Sequence, residues 1–352
     1  MNNSNNNSPG PILLLAVLAI LIAWLATRYG IGLTPDSTVY LDAAHNLLND
    51  RGLTALTGRG EFGPLTHYPP LYPAVLALLT RLGILFGGQS IEGTARVLNS
   101  FIFGANVLLV GVGIRSYARS SYWLPVIGSA LTLTAPAIAG IHTFALTEGL
   151  FIFLSLGGLL SLSRFIETKK QPWLMTAAVM VTLAFLTRYV GITLILTGVL
   201  VLLFVQGRSL RQRGIAALSF GLVAGAPMAL WTLRNLRLSA GVSDREFVFH
   251  PIGLRQIVSG VSTASTWLLL GKVGTNYRIV FFALELGLTI VIAIYLLRRN
   301  RPAPADKEIS SPLVIILVTF VGCYVAFLIF TASFIDADSV LDDRALAPVH
   351  IA

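Results

Sequence analysis

Cysteine is nearly absent from this sequence, because Cys323 is the only one among 352 residues. A single cysteine has no intramolecular partner, which excludes a disulfide framework and a thiolate metal site. Cys323 lies in an apolar run, where a free cysteine packs as a small hydrophobic residue. No histidine or cysteine cluster has the spacing of a zinc site, and no glycine-rich loop has the pattern that binds nucleotide phosphates.

Charge is also scarce. Charged residues make up 12% of the chain, whereas soluble domains carry about 25%. Hydrophobic residues make up 55%, and the mean hydropathy is +0.77. Apolar runs near the length of about 20 residues that crosses a bilayer recur between short basic segments. The sequence therefore predicts an all-α integral membrane protein, a polytopic helical bundle of about nine spans. The predicted spans are about 11–28, 96–114, 122–140, 144–163, 174–187, 190–206, 214–233, 277–297 and 312–333.

The polar start MNNSNNNSPG, residues 1–10, lacks the basic region of a signal peptide and predicts a disordered N-terminus before a membrane domain over 11–352. Of the 25 Lys and Arg residues, 12 fall in four short connections that hold only three of the 16 acids. The positive-inside rule predicts that these connections are cytoplasmic. Their excess of nine positive charges equals the formal net charge of +9, so the basic character requires no nucleic-acid partner.

This orientation makes two large connections external, about 29–95 and 234–276. It requires that the apolar segment 71–86 does not cross the membrane. Pro73 and Arg81 interrupt that segment, which predicts an interfacial helix within the first external connection. The chain stops at HIA, at the start of another apolar run, and we expect a longer natural C-terminus.

Ionisable residues gather at the predicted outer face. Such groups are costly at a membrane and tend to be functional, so their convergence predicts a site. Asp36 follows the first span, and the proline-stiffened stretch THYPPLYP lies on the same connection. The candidates are Asp36, His67, Tyr68, Glu148, Arg188, Asp343 and Arg344.

Structural interpretations remain open for these residues. Asp36 is also suited to be the N-cap of a helix over 37–49. Glu148 is suited to complement the dipole of its helix. Arg188 is placed to snorkel from a span end. His67 is compatible with an aqueous loop, and residues 342–344 with a solvated cluster.

Seven stretches occur in order along the chain, and together they resemble the GT-C superfamily of membrane glycosyltransferases. This superfamily includes protein O-mannosyltransferases and lipid A aminoarabinose transferases. The resemblance covers nearly the whole chain. The stretches are PDSTVYLDAAHNLL, THYPPLYPAVLALL, ARVLNSFIFGANVLLVGVGIRSYAR, APAIAGIHTFALTEGLFIFLSL, LAFLTRYVGI, APMALWTLRNL and DDRALAPV.

The resemblance implies a polyprenyl phosphate sugar as donor and a lipid, glycan or protein as acceptor. It implies that Asp36 is the catalytic base or a carboxylate that positions the acceptor, that 67–73 begins an interfacial helix, and that Arg188 is the basic residue after the LAFLT turn. Ser37 stands where relatives often have a second acid. We therefore predict no metal ligands, although a divalent ion bound weakly by carboxylates stays open.

The chemistry of such a donor assigns roles to the other candidates. Departure of the polyprenyl phosphate develops negative charge, which Arg188 and Arg344 are expected to stabilise. His67, Tyr68, Glu148 and Asp343 are expected to contact the substrates.

We therefore predict an inverting single displacement at the outer face of a bacterial inner membrane. A transporter or flippase of a lipid-linked substrate is the alternative, but the inverted repeats typical of many transporters are not evident. A polysaccharide polymerase or ligase is a third interpretation, and it would place its main external loop late in the chain.

Overall fold

The computed structural model describes residues 9–56, 62–84, 90–118, 121–204, 209–238, 247–267, 275–299, 312–335 and 340–352. The described chain is helical apart from one short hairpin, a 3-10 turn and the connections. The predicted disordered start lies outside the described residues except for Pro9 and Gly10. The helices are α1 (Gly10–Ala26), α2 (Pro35–Leu48), α3 (Leu71–Ile84), α4 (Ile91–Tyr117), α5 (Trp123–Thr134), α6 (Pro136–Ile141), α7 (Glu148–Thr168), α8 (Gln171–Thr187), α9 (Ile192–Phe204), α10 (Leu210–Leu238), α11 (Leu254–Ala264), α12 (Thr275–Arg299), α13 (Pro312–Phe334) and α14 (Asp343–Ile351).

Within the described ranges, four helices are long and apolar enough to cross a membrane: α4, α7, α10 and α13. Shorter apolar helices or stretches fall on the other five predicted spans, namely α1, α5, α8, α9 and residues 280–292 of α12. All nine predicted positions are therefore helical, and the predicted class of all-α membrane protein is confirmed. The interfacial helix predicted over 71–86 corresponds to α3, which has 14 residues.

Several predicted spans differ from the structure by a few residues at their ends, and two of the differences have a local cause. The span predicted over 122–140 is broken into α5 and α6, because Ala135 is extended (φ −66°, ψ 114°) immediately before Pro136. A residue before proline disfavours the helical conformation, which accounts for the break. The span predicted from 144 begins instead at Glu148.

The chain divides into two compact units. The first comprises the described residues of Met1–Leu156, Thr182–Gly191 and Ala226–Arg245. The second comprises Gly157–Val181, Ile192–Gly225 and Glu246–Ala352. We describe each unit by itself.

In the first unit, α1 packs along α4 through a face of small residues. A side-chain carbon added at Gly104 would lie 2.7 Å from the carbonyl oxygen of Ala16, so only glycine permits this approach. Small residues at helix contacts are typical of membrane bundles. Arg96 joins the ends of the two helices by donating to the Trp24 carbonyl at 2.8 Å and to Thr27 Oγ1 at 3.1 Å.

The connection between α2 and α3 contains a hairpin of β1 (Thr54–Leu56) and β2 (Phe62–Pro64). The strands are antiparallel, with Ala55 opposite Gly63. The hairpin packs on α2, where Ala43, Ala55 and Leu65 form a small buried cluster. The side chain of Asn46 also donates to the Thr54 carbonyl at 3.0 Å. This part of the connection therefore folds against the helix that carries Asp36.

In the second unit, α13 packs on α9 through one buried face that includes Ile316, Phe320 and Tyr324. The Tyr324 hydroxyl donates to the Ala345 carbonyl at 3.0 Å. Asp342 is the N-cap of α14, because its Oδ1 accepts from the Ala345 amide at 2.9 Å. These contacts anchor α14 to the rest of the second unit.

Candidate active site

Two chain segments enter the candidate site side by side. Gly32, after α1, pairs in parallel with Phe144, before α7. The Gly32 amide donates to the Thr143 carbonyl at 2.8 Å, and the Gly32 carbonyl accepts from the Ala145 amide at 2.9 Å. Asp36 and Glu148 each lie four residues beyond this pair, so the bridge aligns the beginnings of α2 and α7. Because residues 143–145 form the bridge, α7 begins later than the predicted span.

The N-terminus of α2 is capped by residues other than Asp36. Thr34 is the N-cap, with its Oγ1 accepting from the Ser37 amide at 3.2 Å, and Ser37 Oγ accepts from the Thr34 amide at 3.0 Å. This reciprocal capping box satisfies the first turn. The alternative that Asp36 is the N-cap is therefore wrong. The Asp36 carboxylate instead accepts from the Tyr68 hydroxyl at 2.8 Å.

Aromatic rings pack around this pair. The ring of Tyr40, one helical turn after Asp36, lies edge-on to Tyr68 at 4.9 Å between centroids and to Tyr72 at 5.6 Å. The His67 ring lies edge-on to Tyr68 at 4.7 Å. Edge-on packing is a favourable arrangement for aromatic rings. Tyr68, which donates to Asp36, is therefore held between two rings.

Glu148 and Arg188 form a largely buried ion pair. Arg188 Nη1 lies 2.8 Å from Glu148 Oε1, and the two side chains are 25% and 1% exposed. Arg188 Nη1 also donates to Thr147 Oγ1 at 3.1 Å, and Thr147 Oγ1 donates to Glu148 Oε2 at 3.3 Å. The structure thus brings together two predicted site residues, an acid and a cation, that lie 40 positions apart in the chain.

Tyr40 links the two pairs electrostatically. Burial is the largest cause that raises the pKa of Tyr40; the charge of Arg188 opposes the shift, and the charges of Glu148 and Asp36 add to it. All three charged groups are therefore close enough to act on one phenol. A phenol with a raised pKa stays protonated and serves as a hydrogen-bond donor at neutral pH.

The loop before Tyr68 accepts hydrogen bonds from two other parts of the first unit. The Thr66 carbonyl accepts from the Tyr189 hydroxyl at 3.1 Å and from Asn235 Nδ2 at 3.2 Å. Arg234 Nη1 donates to the Leu65 carbonyl at 2.9 Å. The carbonyl groups that precede His67 are thus held by side chains from the turn after α8 and the end of α10.

A buried polar cluster supports the start of α7. Asn106 Nδ2 donates to the Gly149 carbonyl at 3.1 Å and lies 3.1 Å from His142 Nε2. His142 stacks on Phe103, and burial lowers its pKa to about 4. Its Nδ1 lies 2.7 Å from the Ile138 carbonyl, so the neutral ring donates there and accepts from Asn106. This cluster fixes the backbone beside Glu148.

Five of the seven predicted site residues belong to the first unit and are linked through the contacts above: Asp36, His67, Tyr68, Glu148 and Arg188. Asp343 and Arg344 belong to the second unit, in the first turn of α14. Burial, and then the charge of Asp342, raises the pKa of Asp343. The roles of Asp343 and Arg344 stay predictions.

The sequence analysis missed Tyr40, Thr147, Tyr189 and Asn235. Tyr40 carries a usable signal, because residues one turn apart share a helix face. Thr147 and Tyr189 are chain neighbours of predicted residues. Asn235 offers no such signal, since its partner Thr66 lies 169 residues away.

The carboxylates of the site do not fit a metal centre. No three His, Cys, Asp or Glu side chains converge to hold a metal ion anywhere in the part of the chain that is described. Arg188 engages the Glu148 carboxylate, and Ser37, which follows Asp36, takes part in the cap of α2.

The chain is similar to one known protein family and to solved structures. Residues 67–231 match the model of the family described as dolichyl-phosphate-mannose-protein mannosyltransferase. No curated protein matches the chain in sequence.

Two solved structures share the fold. ArnT from Cupriavidus metallidurans bound to undecaprenyl phosphate has a TM-score of 0.58 and 15% identity. The match covers 98% of this chain and 59% of that one. The apo state of ArnT has a TM-score of 0.59 and 16% identity, over 97% of this chain and 57% of that one. The chain thus spans less than three fifths of the length of ArnT.

Proposed function

We propose that this chain is a membrane glycosyltransferase of the GT-C superfamily and that it transfers a sugar from a polyprenyl-phosphate-linked donor to an acceptor hydroxyl. The observation that carries the proposal is the presence in one unit of a held carboxylate, Asp36, and a cation, Arg188, whose charges both act on Tyr40. The undecaprenyl phosphate bound in an ArnT structure supports the class of donor. The acceptor is a lipid, a glycan or a protein.

Asp36 is the general base of the proposed reaction. The acceptor oxygen attacks the anomeric carbon while its proton passes to the Asp36 carboxylate. A positioned general base contributes a rate factor of about 10² to 10⁴. The hydrogen bond from Tyr68 orients the carboxylate. His67 fixes the Tyr68 ring through edge-on packing.

Arg188 acts on the leaving group. The bond between the anomeric carbon and the phosphate oxygen breaks, and the electron pair stays on the polyprenyl phosphate. A fixed guanidinium stabilises this charge without reorganising during the reaction. Glu148 and Thr147 orient the guanidinium, and a quarter of the Arg188 side chain remains exposed. One displacement from the face opposite the phosphate inverts the anomeric configuration.

The location follows from the lipid on the donor. The isoprenoid tail stays in the bilayer and holds the anomeric carbon near the membrane surface, which suits a site built at helix ends. We propose that this surface is the outer face of a bacterial inner membrane, because the positive-inside rule assigns the basic connections to the opposite, cytoplasmic side.

The experiment measures transfer of radiolabelled sugar from synthetic polyprenyl phosphate donors to acceptors in total membranes. Wild type is compared with Asp36→Asn, which keeps the shape of the side chain but removes its basicity. We expect at least about a hundredfold lower rate in the variant. Asp50→Asn is the matched control, because the Asp50 side chain is 83% exposed and asparagine accepts its positive φ as well as aspartate does.

Two results would contradict the proposal. Equal rates for wild type and Asp36→Asn would remove Asp36 from the base role. A wild-type protein that binds the donor but never releases the label from it would favour the flippase alternative.

A further inference from the structure

We infer that Tyr189 is a positioning residue that couples the two halves of the site, the Asp36–Tyr68 pair and the Glu148–Arg188 pair. The inference rests on the proposed function for its kinetic test. Its structural basis is independent of that function.

Arg188 and Tyr189 are successive residues whose side chains reach different partners. Arg188 contacts Thr147 and Glu148, whereas the Tyr189 hydroxyl donates to the Thr66 carbonyl at 3.1 Å. One peptide unit therefore connects the cation of the site to the loop that carries Tyr68.

The turn that presents these two residues is closely packed. The Arg188 amide donates to the Ala184 carbonyl at 3.0 Å, and the Gly191 amide to the Arg188 carbonyl at 2.9 Å. A side-chain carbon at Gly191 would lie 2.5 Å from Phe185 Cα, so the turn contacts α8 directly. A turn packed in this way transmits a displacement of one side chain to the next.

On the other side of the hydrogen bond, Thr66 is two residues before Tyr68, whose hydroxyl reaches Asp36 at 2.8 Å. A shift of the loop therefore moves the donor that orients the proposed base. Reacting groups tolerate little misplacement, since an error of about 1 Å costs about a hundredfold in rate. We infer that the Tyr189 hydroxyl thus acts on Asp36 through Tyr68.

Removing this hydroxyl leaves the fold intact, because Asn235 still donates to the Thr66 carbonyl. We therefore choose Tyr189→Phe in the full chain, with Tyr29→Phe as control, since the Tyr29 side chain is exposed. We expect Tyr189→Phe to lower kcat about tenfold, with a similar KM for the donor and a similar melting temperature. The control is expected to behave as wild type.

Combination with Tyr68→Phe separates positioning from general stability. If Tyr189 acts through Tyr68, the double variant is less than about twofold slower than Tyr68→Phe alone, because coupled residues are not additive. Losses that multiply, or a lower melting temperature that accounts for the loss of kcat, would overturn the inference.

A second measurement needs no catalysis. In a chain with Cys323 replaced by serine, His67→Cys puts a single thiol into the loop. The rate at which this thiol reacts with a maleimide is then measured. We expect Tyr189→Phe to make this reaction at least about threefold faster, because a loop held by one hydrogen bond fewer opens more often. An unchanged rate would overturn the inference. An inactive wild type with a faster reaction in the variant would reject the proposed function and retain the coupling.

Discussion

A carboxylate that is almost fully buried depends on its partner. The Glu148 side chain is 1% exposed, whereas that of Arg188 is 25% exposed. Arg188 can regain water if it loses Glu148, but Glu148 cannot if it loses Arg188. The two residues should therefore respond differently to substitution, and this asymmetry distinguishes an ion pair inside the site from a snorkelling arginine.

We predict that Arg188→Leu lowers the free energy of unfolding by about 3 kcal/mol, since it leaves a buried charge without its partner. Glu148→Gln should cost less, because a neutral amide replaces the carboxylate and Arg188 keeps access to water. The double variant should recover most of the loss from Arg188→Leu.

Chemical denaturation in detergent measures all three variants. Arg164→Leu is the control, because Arg164 pairs with Glu167 at a more exposed position, where ion pairs contribute little. A double variant whose loss equals the sum of the two single losses would show that the pair is not coupled.

At the scale of elements, the bridge between Gly32 and Phe144 aligns α2 with α7. A side-chain carbon at Gly32 would lie 2.5 Å from Phe144 Cδ1, closer than atoms approach without rearrangement. Any side chain at this position requires either the Phe144 ring or the two segments to move. Asp36 and Glu148 follow those segments by four residues each, so the effect should reach the site.

We predict that Gly32→Ala destabilises the protein by about 1–3 kcal/mol, as overpacking does, and that it lowers the transfer rate. Gly83→Ala is the matched control, because a side-chain carbon there meets no atom within 4 Å. Gly83 lies in α3, so alanine should be neutral or slightly stabilising. Equal melting temperatures for Gly32→Ala and wild type would contradict the role assigned to the bridge.

The elements themselves were largely predictable from the sequence, and the details of the site were not. Hydrophobic runs predicted a helix at each of the nine positions, because helices must satisfy their own backbone in a membrane. The break at Pro136 carried a signal that the run of apolar residues obscured. The start of α7 depended on pairing with Gly32, which is not visible in local sequence.

The sequence indicated the candidate residues by type, and it indicated few of the contacts between them. The ordered motifs pointed to Asp36, Tyr68, Glu148 and Arg188, and residues 67–231 match a family model of membrane mannosyltransferases. The bond from Tyr189 to Thr66 joins residues 123 positions apart. Such contacts follow from tertiary packing, for which a single sequence holds no spacing rule.

At the scale of the whole molecule, the distribution of basic residues predicts the outward orientation that we propose for the site. If the site faces outward, Thr38 on α2 lies outside, and Lys169, between α7 and α8, lies in the cytoplasm. Both side chains are exposed, so cysteines at these positions can be labelled.

We predict opposite labelling patterns for Thr38→Cys and Lys169→Cys in a chain with Cys323 replaced by serine. A membrane-impermeant maleimide should label the first in intact cells and the second only after the membranes are opened. The two positions should differ in labelling because the predicted orientation puts them on opposite sides of the membrane. Labelling of Lys169→Cys alone in intact cells would reverse the orientation, and the proposed transfer would then occur at the cytoplasmic surface.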